Sequence, residues 1–299
     1  MENVGYIFPG QGSQYVGMGK ELLRYKEAQL IFEEASDLLG YDAKRLCMDG
    51  PAERLSLTEY SQPLILTVSY AYLKVLSHLS VPEPMIVAGH SLGEYSTLVA
   101  SSSLRFRQAL RIVKKRAHFM ADAARKNPGG MLAILGLERD RVEEICRDSG
   151  VEIANLNCPG QIVVSGRKKN IEVAERMAKE RAKVVRLATS GPFHSSLMRD
   201  AEEKMAKLLE DEEIRSPNVR VVPNVLAEPT DDPEVIRSSL IRQVAERVRW
   251  EESMRAIEKE GVSLLIEIGP GKVLCGLAKR TVQIETRAVE DMLKSLDKD

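Results

Sequence analysis

The pentapeptide Gly89-His90-Ser91-Leu92-Gly93 constrains this chain more than any other feature. It follows the apolar run Met85-Ile86-Val87-Ala88 and precedes a helix-like stretch that begins near Glu94. A serine flanked in this way at a strand-to-helix junction predicts a nucleophile elbow, a sharp turn that lifts the hydroxyl above the sheet edge. The two glycines leave room for a crowded backbone. The helix that follows aims its free N–H groups and its dipole at negative charge developing near the serine. The fold expected around such an elbow is α/β, with a mainly parallel sheet.

The 299 residues suffice for one large domain with an insertion, or for two domains. Hydrophobic residues make up 43% and charged residues 29%, an ordinary globular balance. With a formal net charge of -1, no global field draws the chain to nucleic acid or to a membrane surface. Cys47, Cys146, Cys158 and Cys275 are scattered, without CxxC or metal-ligand spacing, which predicts buried free thiols in a reducing compartment. The first residues, MENVGYIFPGQG, carry an acid where a signal peptide is basic, and no run reaches the ~18 apolar residues of a membrane span. A cytoplasmic enzyme is expected.

Val4 to Phe8 reads as a strand running into the glycine-rich loop Pro9-Gly10-Gln11-Gly12. Met18 to Leu38 reads as helix, Ser61 to Leu79 as a buried helix, and Phe106 to Ala124 as an amphipathic helix carrying Arg111, Lys114, Lys115 and Arg116. Asn127-Pro128-Gly129-Gly130 breaks the chain, and the rhythm changes. A strand at Met131–Leu135, a helix at Arg139–Arg147, strands at Val151–Leu156 and Ile162–Ser165, a helix at Ile171–Lys179 and a strand at Lys183–Leu187 follow. That order, βαββαβ, predicts a ferredoxin-like domain inserted at residues 127–192, with 1–126 and 193–299 forming the larger catalytic domain. Beyond it come helices near 196–209, 234–244 and 251–258, strands near 219–222 and 264–268, and a final helix after Gly269-Pro270-Gly271-Lys272. The polar tail from Met292 is expected to fray.

A serine nucleophile needs a base, and four histidines are available. His78 and His118 lie within helices, and His90 is expected to turn its ring away from Ser91 at the tight turn. His194 sits in Gly191-Pro192-Phe193-His194-Ser195, just before a helix, and is the candidate base. No carboxylate stands in a convincing place to orient it: Asp200 is helical, and Glu267 lies inside a strand.

The chain resembles the malonyl-CoA:acyl carrier protein transacylase family. The resemblance rests on FPGQGSQ at 8–14, PAERL at 51–55, SQP at 61–63, GHSLGEYS at 89–96, KKRAHFM at 114–120, NCPGQIVVSG at 157–166, GPFHSSLM at 191–198 and EIGPGKVLCGLAKR at 267–280, in the family order. It implies an α/β-hydrolase-like large domain with the ferredoxin-like insert. It implies that Ser91 takes the acyl group as an ester with His194 as general base. The backbone N–H groups of Gln11 and Leu92 would form the oxyanion hole. Arg116 would fork onto the free malonyl carboxylate. A main-chain carbonyl just before a tryptophan would orient the imidazole, which in Arg247-Val248-Arg249-Trp250 points to Arg249. Phe193 matches the malonyl-type pattern, where the methylmalonyl type has a smaller residue.

The implied reaction moves a malonyl group from malonyl-CoA to the phosphopantetheine thiol of acyl carrier protein by a ping-pong route. It needs no metal and no bound organic cofactor. A serine hydrolase on the same fold is the second reading, weakened by the missing acid and by Arg116. A non-catalytic carrier-binding protein is the third, weakened by the intact Ser91, His194 and Arg116. Lys272, Lys279 and Arg280 are as compatible with solvent as with an acidic carrier.

Overall fold

A computed structural model describes residues 3–79 and 81–295. Among the described residues, nine strands form two sheets: β1 (Val4–Phe8), β2 (Ile86–Gly89), β3 (Gly129–Leu135), β4 (Glu152–Cys158), β5 (Gln161–Arg167), β6 (Lys183–Arg186), β7 (Arg220–Val222), β8 (Leu264–Glu267) and β9 (Glu285–Ala288).

The first sheet has the order β7-β2-β1-β8-β9 and is parallel throughout. Its central strands are buried at every position, as expected of a parallel sheet covered on both faces. That is why Val4–Phe8 and Ile86–Gly89 read as continuous apolar runs rather than alternating ones. In such sheets, ligands bind outside the carboxyl ends of the strands. Here those ends carry the loop after Phe8 and the turn after Gly89.

The second sheet has the order β4-β5-β3-β6 and is antiparallel throughout. Its strands and the helices Arg139–Ser149 and Lys168–Lys179 follow the predicted βαββαβ order. The alternation along β3 explains how it is covered. Leu132 and Ile134 join Val142, Ile145, Ile171 and Ala174 in one apolar cluster beneath the two helices. Met131 and Ala133, on the opposite face, join the main core. Val248 ties the two parts together: its N–H donates to the Ala154 carbonyl, and its carbonyl accepts from the Leu156 N–H.

Some elements differ from the sequence expectation. The segment from Met18 to Leu38 is a 3-10 turn (Lys20–Arg24) and a helix (Lys26–Leu39), separated by Tyr25 in an extended conformation. Gly17 and Gly19, both at positive φ, delay the start. The helix Ala43–Asp49 is held by an Asp42 cap on the Arg45 N–H, a signal the sequence carried. The helix Ala52–Ser56 was also not expected. Strand β9 was missed because an edge strand rich in Glu285, Thr286 and Arg287 has little apolar signature. The expected fray from Met292 is instead helix through Ser295, and Asp297-Lys298-Asp299 lie outside the described residues. Among the described residues, no helix is long and apolar enough to cross a membrane.

Candidate active site

The elbow is present. Strand β2 ends at Gly89, the helix Gly93–Ala100 begins four residues later, and Ser91 takes φ 50 between them. Both glycines are sterically required. A Cβ on Gly89 would lie 2.0 Å from the Gly93 carbonyl carbon, and one on Gly93 would lie 2.1 Å from the Phe8 oxygen. Left-handed backbone at a non-glycine residue costs ~1–3 kcal/mol and persists only where the surroundings hold it. His194 is held at φ 56, so both members of the pair are strained.

Ser91 Oγ lies 2.8 Å from His194 Nε2. His194 Nδ1 faces two main-chain oxygens, Gln243 at 2.8 Å and Glu246 at 3.2 Å. Carbonyl oxygens only accept, so Nδ1 carries the proton and Nε2 is left to take one from the serine. This corrects the Arg249 expectation. The Arg249 carbonyl accepts instead from the N–H and the hydroxyl of Ser253, inside the first turn of the helix Trp250–Lys259. The carbonyls aimed at the imidazole lie before the expected segment Arg247–Trp250, in the irregular stretch after the helix Pro233–Arg242. The Arg249 guanidinium donates to the Val225 and Leu226 carbonyls and pairs with Glu252.

Among the described residues, no carboxylate substitutes for these carbonyls. Asp200 is exposed and pairs with Lys126, while Glu267 accepts from the Leu274 and Cys275 N–H groups at the start of a short helix. The other histidines are engaged elsewhere. His90 hydrogen-bonds Asn157 Oδ1 at 3.0 Å and packs on Trp250, His78 pairs with Glu27, and His118 is exposed.

Burial, and then the Arg116 charge, push the His194 imidazole down from 6.5 to about 3, against the support of the two carbonyls. The ring is therefore neutral throughout the physiological range, as a base must be. We expect an NMR titration of the histidine ring signals to show no protonation of His194 between pH 8 and pH 5. A midpoint near 6.5 would overturn this. The sign for stability follows: as pH falls below about 6.5 the unfolded chain takes up this proton first, so this group erodes stability between about pH 6.5 and pH 3.

Arg116 is fully buried. It falls on the apolar stripe of the helix Phe106–Lys126 with Ile112, Val113 and Met120, whereas Arg111 and Lys115 face outward. Its Nη1 donates to Gln62 Oε1 at 2.6 Å. Its Nη2 donates to Gln243 Oε1 at 2.7 Å and to Ser91 Oγ at 3.2 Å. These partners are all neutral oxygens, and the buried Nε has no partner among the described residues. Burial draws the guanidinium down from its usual value, opposed by Tyr95 and Glu94.

The main-chain groups of Ser91 are also engaged. Its N–H donates to Asn224 Oδ1 at 2.7 Å, and its carbonyl accepts from Gln243 Nε2 at 2.7 Å. Gln11 and Leu92 line the same cavity of about 340 Å3 as Ser91, His194, Arg116 and Phe193. Among the described residues, neither the Gln11 nor the Leu92 N–H has an acceptor. The Gln11 side chain anchors its loop by donating to Thr58 Oγ1 at 3.1 Å. A larger cleft of about 620 Å3, between Arg147, Arg199 and Arg247, reaches His194 but not Ser91, so only the smaller cavity is lined by both. Lys272 pairs with Asp291 and, with Lys279, lines a separate depression. Sequence reasoning passed over Gln62, Glu94, Asn224 and Gln243. The available signal was a polar side chain inside an apolar segment, plainest for Gln62 and Glu94.

A strained serine paired with a neutral histidine beside two free N–H groups is an arrangement for acyl transfer. Residues 5–299 match the family model described as acyl transferase domain. The malonyl CoA-acyl carrier protein transacylase of Bacillus subtilis is 43% identical over 97% of this chain and 94% of its own length. A solved acyl carrier protein S-malonyltransferase from Vibrio cholerae superposes with a TM-score of 0.91 at 41% identity, covering 96% of both chains. A malonyl-transacylase solved in complex with a type II PKS acyl-carrier protein superposes with a TM-score of 0.94 at 38% identity, covering 99% of this chain and 100% of its own. The chain belongs to the acyl transferase family and, within it, to the malonyl CoA-acyl carrier protein transacylases.

Proposed function

We propose that this protein is a cytoplasmic enzyme that transfers a malonyl group from malonyl-CoA to the phosphopantetheine thiol of acyl carrier protein through a malonyl ester on Ser91. The observation that carries the reading is Arg116: a fully buried guanidinium, bonded only to neutral oxygens, lying 3.2 Å from the nucleophile. A buried cation so placed is suited to an acyl group that brings its own carboxylate, and a planar guanidinium can bind that carboxylate through two parallel bonds. The names of the relatives and the carrier-protein complex of one of them support the donor and the acceptor.

In this reading, neutral His194 takes the Ser91 proton as Oγ attacks the thioester carbonyl. The Leu92 and Gln11 N–H groups meet the negative oxygen of the tetrahedral intermediate. His194 then returns the proton to the departing coenzyme A sulfur. The carrier thiol repeats the sequence on the ester, with His194 again as base. Phe193, in the cavity wall, would favour malonyl over bulkier branched acyl groups. The first sheet and its helices make up the α/β-hydrolase-like domain, 1–126 and 193–299. Residues 127–192 make up the ferredoxin-like insert, and its strand order supports that assignment.

Intact mass after brief mixing with malonyl-CoA tests this. The protein should gain one malonyl unit, hold it without carrier protein and lose it rapidly when the carrier is added. Ser91→Ala should gain nothing. Discharge at the same rate with and without the carrier thiol would favour the hydrolase reading instead.

A further inference from the structure

Strand β7 pairs in parallel with β2, with Ala88 opposite Val222. Extending that register by two residues brings Asn224 level with the elbow. Its side chain spans the turn: Nδ2 donates to the Gly89 carbonyl and Oδ1 accepts from the Ser91 N–H, each at 2.7 Å. Asn224 is fully buried and is itself fixed. Its main-chain N–H donates to the buried Glu94 carboxyl, and its carbonyl accepts from the Arg249 N–H at 3.1 Å.

We propose that Asn224 is a positioning residue for the nucleophile, bridging Gly89 and Ser91 so that the strained elbow is held in the one conformation that can react. Two consequences follow from the geometry. The Asn224 bond takes the Ser91 N–H out of the reaction pocket, leaving Leu92 as the elbow's donor to a developing oxyanion. It also opposes relaxation of Ser91 from φ 50, which would carry Oγ away from its 2.8 Å contact with His194. The inference rests on the serine-ester reading above. Misplacement of a reacting group by about 1 Å can cost on the order of 100-fold in rate.

The test measures acylation by malonyl-CoA in rapid-quench experiments, with active sites counted from the amplitude of the malonyl adduct. In Asn224→Ala, the rate per active site should fall ~10- to 100-fold, while KM for malonyl-CoA stays within about threefold. Asn224→Asp adds a discriminating readout. A protonated carboxyl reproduces both bonds, donating to Gly89 and accepting from Ser91. An ionised one sets negative oxygen against the Gly89 carbonyl and close to Glu94. The charged or titratable groups around the Ser91–Asn224 pair are His90, Glu94, Arg116, His194 and Arg249. Dividing the variant's rate by the wild-type rate at each pH removes the titrations the two proteins share. That ratio should rise by about tenfold or more from pH 8 to pH 5.5. Unchanged rates per site in Asn224→Ala, a ratio independent of pH in Asn224→Asp, or loss of the near-UV circular dichroism signal in both would overturn the proposal and make Asn224 a stability residue only. Absence of any adduct in the wild type would instead sink the serine-ester reading.

Discussion

His194→Ala is expected to slow acylation of Ser91 by ~100- to 10,000-fold, the span typical of losing a general base. The geometry gives the reason. Nε2 lies 2.8 Å from Oγ, two carbonyls hold the proton on Nδ1, and no other imidazole is bonded to the serine. A carbonyl pair brings no full negative charge, so it stabilises the imidazolium less than an aspartate would. A thioester, with its better leaving group, tolerates the weaker support. Two controls define the result. Arg249→Gln should stay within about tenfold, a difference of ~1.4 kcal/mol, because neither its carbonyl nor its side chain touches the imidazole. Glu267→Gln and Asp200→Asn should keep their rate per active site, although Glu267→Gln weakens a helix cap. If either carboxylate variant falls as far as His194→Ala with its fold intact, an acid completes the site and this account of it is wrong.

Arg116→Ala is expected to lower malonyl transfer by ~2–4 kcal/mol more than it lowers acetyl transfer, a change of about 30- to 1,000-fold in the ratio of the two. The ratio matters more than either rate. Arg116 also satisfies the Gln62 and Gln243 side-chain oxygens, and Gln243 in turn bonds the Ser91 carbonyl, so truncation perturbs the site for every substrate. Only malonyl loses a partner for its carboxylate. Measuring kcat/KM with both acyl donors separates these effects. Equal losses would mean that the guanidinium serves the packing of the pocket and takes no part in choosing the acyl group.

Much of the fold was legible because its signals are local. Continuous apolar runs marked the buried strands around Ile7 and Val87, and local patterning marked the helix that carries Arg116 and the βαββαβ order of the second sheet. What it missed lacks a local apolar signature, as in the polar edge strand Glu285–Ala288, or depends on special backbone, as in the delayed helix after Gly19. Within the site, Ser91 was readable because an elbow requires glycine at fixed positions. Arg116 was separable from its basic neighbours only by its place on the apolar stripe, and the resemblance supplied its role.

Read alone, the sequence points to two residues that can do chemistry here, a serine at an elbow and a histidine in a tight turn; Arg116 joins them only through the resemblance, and its burial is a fact of the structure. The tertiary structure alone decided what holds them. Side-chain chemistry differs from residue to residue and leaves a trace in the sequence. Main-chain carbonyls are the same at every position, so nothing in the sequence of residues 243–250 could say which carbonyl meets the imidazole. That depends on how the chain turns after Arg242, which aims Gln243 and Glu246 at Nδ1 and leaves the Arg249 carbonyl inside its helix. Asn224, likewise, lies 133 residues from Ser91 in the chain, and only the parallel pairing of β2 with β7 brings it to the nucleophile.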